Sequence, residues 1–168
     1  MEKNLEQILL YTAFSCMACD GEIAHEEVEA IKQMAINKHA FGNLNIENEL
    51  QQMVSAINAK GKGFLKQYLL TIDGCDFTKE EECSILQVAL DTILADNVVK
   101  YSEVKFFKVL RSNLKHLSDK EILELVEGID ESFLAKDVKQ SYAELFEAYF
   151  ENIELGNLII DELKTKEL

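Results

Sequence analysis

The sequence predicts an all-α fold, a helical bundle of about seven to nine helices, and three observations support this prediction. The 168-residue chain has no proline and only seven glycines, so it lacks the turn residues that an all-β fold would need. Its hydrophobic fraction of 48% is enough for a packed core and excludes a disordered acidic tail. The third observation is an internal repeat of a helical pattern.

The repeat relates positions 76 residues apart, without a gap, since Asp96 corresponds to Asp20. Each half reads as an apolar helix, an acidic loop and an amphipathic helix. The further matched pairs are Leu9 and Ile85, Ile23 and Val99, Glu27 and Glu103, Val28 and Val104, and Ile31 and Phe107. A recurring pattern of this kind indicates duplicated structural units. We therefore predict an internal duplicated helix–loop–helix with pseudo-repeats at 5–38 and 81–114.

Apolar periodicity places the helices along the chain. The predicted helices cover residues 3–19, a segment from near His25, 46–60, 64–73, 79–95, a segment after an N-cap at Ser102, a segment opened by a capping box at Ser118, 137–153, and Leu158 to Leu163. Ile23 and Val99 are lone apolar residues in the acidic loops, and both are predicted to plug into the core. Gly21 and Asn97 are predicted to end the core helices, because both residue types tolerate the left-handed conformation.

The formal net charge of −14 bears on partners and on domain organisation. An acidic surface repels nucleic-acid phosphates and anionic membranes, and it favours cations or a protein partner with a basic surface. We predict a helical domain over residues 1–116 and an acidic C-terminal helical extension, 117–168, packed on it. The acidic charge predicts no nucleic-acid binding. No apolar run approaches the roughly 18 residues of a membrane span, so we expect no membrane insertion. The first residues, Met1 to Asn4, lack the basic start of a secretory signal, so we expect a cytoplasmic location. The oligomeric state stays open.

Cys16 and Cys19 form a CxxC motif, which is typical of redox or zinc sites. A redox pair is favoured at a helix N-terminus, whereas these cysteines lie at the end of the first predicted helix. The corresponding residues of the second repeat are Thr92 and Ala95, so small buried side chains are the interpretation we favour. A zinc site that uses Cys16, Cys19, His25 or Cys83 is the alternative.

The acidic loops carry the candidate binding residues Asp20, Glu27, Asp96 and Glu103. In each repeat, seven positions separate an aspartate at a helix end from a glutamate at the next helix start. Oxygen ligands of this kind suit a hard divalent cation such as Mg²⁺, Ca²⁺ or Mn²⁺. For each loop taken alone we favour a structural explanation, because aspartates cap backbone amides and first-turn glutamates complement the helix dipole.

The sequence offers little for catalysis. The three histidines are scattered, and no glycine-rich phosphate loop or HExxH motif is present. We therefore predict no catalytic residues, no organic cofactor and a non-catalytic binding module. Specific divalent-metal binding and a metal-dependent hydrolase are the two alternatives.

At the acidic loops the sequence resembles the TerB-like family, the small all-helical proteins and domains of tellurite-resistance gene clusters. The family pattern is Ala-Asp-Gly, an apolar residue two places on and a glutamate opening the next helix, given twice. This chain has Cys19 in place of the alanine and Asn97 in place of the second glycine. The resemblance covers about residues 5–115. It implies an antiparallel helical domain, a role in stress or tellurite response, and a divalent cation at the four loop acids named above.

Overall fold

The computed structural model describes residues 4–134, 142–151, 153–156 and 158–160, and these ranges contain eight α-helices and no strand. The helices are α1 (Leu5–Ala18), α2 (His25–Asn37), α3 (Ile46–Lys60), α4 (Lys62–Asp73), α5 (Lys79–Ile93), α6 (Tyr101–Ser112), α7 (Asp119–Leu125) and α8 (Tyr142–Glu151). Two short 3-10 turns, Leu94–Asp96 and Glu131–Phe133, complete the regular structure. The predicted all-α bundle is confirmed.

Helices α1 and α5 form the centre of the bundle and pack against each other. The helix α1 is buried on almost every side, as a helix apolar all round must be. Leu9 and Ile85, which correspond in the two repeats, are both buried in this core. The prediction that the two apolar helices are the central ones is confirmed.

The amphipathic helices surround this central pair. The helix α2 packs on α5, α3 packs on α4, and α8 packs on α6. In α2 the residues Val28 and Ile31 face inward and are fully buried, while the opposite face of the helix is exposed to solvent. Each amphipathic helix thereby removes one apolar stripe from water, which is the main source of its stability.

Each acidic loop follows a core helix and turns through a residue with positive φ, Gly21 at 85° and Asn97 at 61°. Glycine adopts this conformation without steric cost, and asparagine adopts it more readily than most residues. The predicted left-handed ends are therefore confirmed in both repeats. The Asn97 position keeps the turn although it lacks glycine.

Three local predictions are wrong. Val99 is 42% exposed instead of plugging the core, whereas Ile23 packs against the core as predicted. The N-cap of α6 is Lys100 instead of Ser102, because α6 begins at Tyr101. Residues 158–160 are not helical. A lone apolar residue is often exposed at a protein surface, and helix boundaries are the part of a helix that a sequence pattern defines least well.

Three predicted helices lie partly outside the described residues, namely at residue 3 of the helix 3–19, at residues 137–141 and 152 of the helix 137–153, and at residues 161–163 of the last helix. The helix α8 covers the described part of 137–153. The division into domains at residue 116 stays a prediction. None of the helices in the described ranges has the length and apolar character needed to cross a membrane.

Candidate functional site

The two acidic loops have the same internal hydrogen bonds. The Asp20 carboxylate accepts the backbone N–H of Glu22 at 2.9 Å, and the Asp96 carboxylate accepts the backbone N–H of Val98 at 3.0 Å. Aspartate stabilises tight turns by accepting the amide two residues on. One oxygen of each aspartate is therefore engaged in holding its loop, while the second is available for other contacts.

The glutamates of the two loops are also equivalent. Glu27 Oε1 accepts the backbone N–H of Ala24 at 3.0 Å, and Glu103 Oε1 accepts that of Lys100 at 2.8 Å. Each carboxylate reaches back to the residue before its helix, as in the glutamate half of a capping box. Both side chains are buried, with exposed fractions of 2% and 1%. Buried carboxylates are rare unless a partner or a function holds them there.

Burial raises the pKa of the Glu27 carboxyl to about 9. The hydrogen bond from Ala24 lowers it, and the negative charges of Glu103, Asp20 and Asp96 raise it again. Both the loss of water and the nearby like charges disfavour the ionised form. The ionised form of Glu27 is therefore disfavoured at this position, because no cation is among the groups that shift its pKa.

Burial likewise raises the pKa of Glu103, to about 7. The backbone N–H of Lys100 lowers it, the charges of Asp20 and Asp96 raise it, and the ammonium of Lys100 lowers it. Glu103 thus has a cationic neighbour that Glu27 does not have among the causes of its shift. This difference between the repeats follows from Lys100.

Lys100 links the two loops. Its ammonium lies 2.9 Å from Asp20 Oδ2 and 2.9 Å from Glu22 Oε2, both of the first loop. These carboxylates raise the pKa of Lys100 above its ordinary value. The Asp20 side chain is only 6% exposed, so the pair holds a nearly buried negative charge against a cation.

One oxygen of the site has no partner. Glu27 Oε2 is fully buried and makes no hydrogen bond. An unsatisfied buried acceptor costs about 1–3 kcal/mol, and more when it is charged. Such an atom in a folded protein points to a proton, a bound ion or a water that satisfies it.

The fold therefore gathers all four predicted residues, Asp20, Glu27, Asp96 and Glu103, into one electrostatically coupled centre. Within the described ranges, no three His, Cys, Asp or Glu side chains are arranged to hold a metal ion between them. A cation that binds here must draw the carboxylates closer together than they lie in this conformation. The oxygen-only donor set suits Mg²⁺, Ca²⁺ or Mn²⁺.

The importance of Lys100 is not evident from its own sequence neighbourhood. The available signal is its match to Ala24, a change from a small to a cationic residue between otherwise similar loops. The contact of α8 with the first loop was also missed. The Tyr149 hydroxyl donates a hydrogen bond to the backbone carbonyl of Cys19, directly before the loop aspartate.

Cys16 and Cys19 lie in the core at 0% exposure, as the preferred interpretation of the CxxC motif predicts. Burial raises the pKa of both thiols well above the ordinary value, so neither ionises readily. The zinc alternative finds no ligand cluster in the described part of the chain.

Comparison of the chain with models of known protein families, with curated proteins and with solved structures gave no match. The resemblance to the TerB-like family therefore depends on the doubled sequence pattern alone and stays a prediction.

Proposed function

We propose that this chain is a non-catalytic binding module whose paired acidic loops bind one divalent cation. The observation that carries the proposal is Glu27 Oε2, a buried carboxylate oxygen without a hydrogen-bond partner in an environment made negative by three further acids. Because the pKa of Glu27 is about 9, a divalent cation would replace the proton of this carboxyl, offset the negative charge of the three neighbouring acids and satisfy the oxygen.

The residues that would hold the cation are Glu27 and Glu103 from the helix starts, with Asp20 and Asp96 from the helix ends. The second oxygens of the aspartates supply ligands, because the first oxygens hold the loops. The chemistry of the bound ion is charge neutralisation that ties the two repeats together. No step of a reaction is assigned to it.

A second candidate function, docking of a protein with a basic surface, is favoured by the exposed acids near the loops. The Glu22 side chain is 78% exposed although it forms an ion pair with Lys100. Exposed charge of this kind steers a cationic partner. A role in stress or tellurite response belongs to this proposal through the family resemblance.

Titration calorimetry of the full chain with Mg²⁺, Ca²⁺ and Mn²⁺ tests the metal proposal. We expect one cation per chain, and we expect Glu27→Gln to weaken binding about tenfold or more, equivalent to ~1.4 kcal/mol or more. The matched control is Glu81→Gln. Glu81 makes the same reach-back hydrogen bond, to the N–H of Thr78, but lies at the start of α5, outside the acidic loops.

Absence of heat from all three cations would overturn the metal proposal and leave the docking of a basic partner. Equal weakening by Glu27→Gln and Glu81→Gln would also contradict it, since capping alone would then explain the loss. Turnover of a phosphoester panel with added cation would overturn the non-catalytic part.

A further inference from the structure

We propose that Lys100 is a built-in competitor for the cation: its ammonium occupies the acidic centre in the cation-free chain and leaves when a divalent cation binds. This inference rests on the proposed function and names how that site is regulated. The two repeats then differ in function, because only the second repeat supplies the competing ammonium, although both loops have the same hydrogen bonds.

The first support is position. The Lys100 ammonium contacts Asp20 Oδ2, the oxygen of Asp20 that does not hold the first loop, at 2.9 Å. This is the oxygen that the cation would use. An ammonium and a metal ion at this one oxygen repel each other, so each weakens the binding of the other.

The second support is the asymmetry of the repeat. Ala24 stands where Lys100 stands, and its loop has the same aspartate turn and the same glutamate cap as the loop of Lys100. A lysine side chain is therefore not needed to form this loop. Its presence in one repeat places a single positive charge in the shared centre.

The third support is that Lys100 can leave. Its side chain is 39% exposed, while that of Asp20 is 6% exposed. Lysine carries a strongly hydrated ammonium on a flexible stem, so it can turn into water at small cost. The carboxylates freed by this movement could then close around the ion, which they do not do in the present arrangement.

Lys100→Met in the full chain tests the inference, with Lys105→Met as the matched control. Lys105 lies one turn further along α6, where its ammonium covers the Tyr101 ring at 4.4 Å. Both substitutions remove one positive charge from the N-terminal part of α6 or its N-cap, so the change in net charge is the same in the two variants. We expect Lys100→Met to bind Mn²⁺ about tenfold more tightly than Lys105→Met, equivalent to ~1.4 kcal/mol.

Binding by wild type with equal affinities for the two variants would overturn the inference and leave the proposed function intact. Absence of binding in wild type and in both variants would overturn both. Binding by Lys100→Met alone would overturn both, because the lysine would then be the permanent cation of the centre and would not leave it.

A second measurement needs no variant and so does not depend on folding of Lys100→Met. Acetylation of wild-type lysines by acetic anhydride is followed by peptide mass spectrometry, with and without saturating Mn²⁺. We expect Mn²⁺ to increase modification of Lys100 severalfold and to leave Lys105 unchanged. Unchanged modification of Lys100 by a chain that binds Mn²⁺ would overturn the inference.

Discussion

Glu27 and Glu103 are buried carboxylates at corresponding positions of the two repeats, and each caps its own helix with one oxygen. The second oxygen of Glu27 has no hydrogen-bond partner. A capping role and a ligand role are therefore not exclusive, because they use different oxygens of one side chain. The two explanations of the acidic loops that the sequence leaves open fit the same residue.

The raised pKa of Glu27, about 9, predicts a pH-dependent stability in EDTA. Between about pH 4.5 and 9 the folded chain holds a proton that the unfolded chain has lost, so stability falls as pH rises, by up to ~1.4 kcal/mol per pH unit. Glu27→Gln cannot ionise. We expect it to be more stable than wild type at pH 8 and to show a flatter pH dependence in urea unfolding.

Glu81→Gln is the control for this pH series, and it should keep the wild-type slope. Parallel curves for wild type and Glu27→Gln between pH 5 and 9 would contradict the assignment of a neutral Glu27 to the folded state.

A third buried acid, Glu82, holds the segment after α6. Its carboxylate accepts the backbone N–H groups of Lys115, His116 and Leu117 at 3.1–3.2 Å, and it is 2% exposed. Glu82→Gln replaces one acceptor by a donor that faces these N–H groups. We expect a loss of about 2–4 kcal/mol in the free energy of unfolding, measured by urea denaturation.

The neighbouring exposed Glu80 provides the comparison, and Glu80→Gln should change the free energy of unfolding by less than about 0.5 kcal/mol. A similar small change for Glu82→Gln would mean that the three amides are satisfied equally well without the carboxylate.

Gly21 is required for two reasons, its φ of 85° and the approach of a neighbouring segment. A Cβ at this position would lie 2.7 Å from the backbone oxygen of Glu154. Asn97→Ala, at the corresponding left-handed position, should cost about 1 kcal/mol. We expect Gly21→Ala to cost at least ~1 kcal/mol more, because the backbone of Glu154 must also move. If thermal unfolding shows the same loss of stability for Gly21→Ala and Asn97→Ala, the backbone of Glu154 moves aside without a measurable cost.

The cysteines should differ in reactivity. Cys16 and Cys19 are fully buried with raised pKa values, whereas Cys75 and Cys83 are half-buried. In native protein we expect iodoacetamide to modify Cys75 and Cys83 first, with Cys16 and Cys19 slower by roughly 100-fold or more. Peptide mass spectrometry measures the order, and all four should react in urea. Early modification of Cys19 would contradict its position in the core.

The elements that the sequence predicted best are those whose signal is local. The helix 46–60 was predicted with its observed bounds, and the capping box at Ser118 opens a helix where expected. Local hydrogen bonds and periodic burial decide such elements, and both can be seen in a short stretch of chain. Val99 shows the limit, since its exposure depends on what lies opposite the loop.

The candidate site likewise has a part that the sequence predicted and a part that it did not. Its four acids were predicted from the repeat, because duplication preserves position along the chain. The link from Lys100 to Asp20 spans 80 residues of sequence, and the donation from Tyr149 to Cys19 spans 130. No local pattern predicts either contact.

By itself, the sequence determined the all-α class, the doubled helix–loop–helix and the identity of the acids at its turns. These follow from periodicity and local hydrogen bonding, which act over a few residues. Only the tertiary structure decided that the two loops lie together, that Glu27 and Glu103 are buried away from water, and that Lys100 forms an ion pair with Asp20. Desolvation and charge pairing depend on which distant surfaces come together, so packing of the whole chain fixes them.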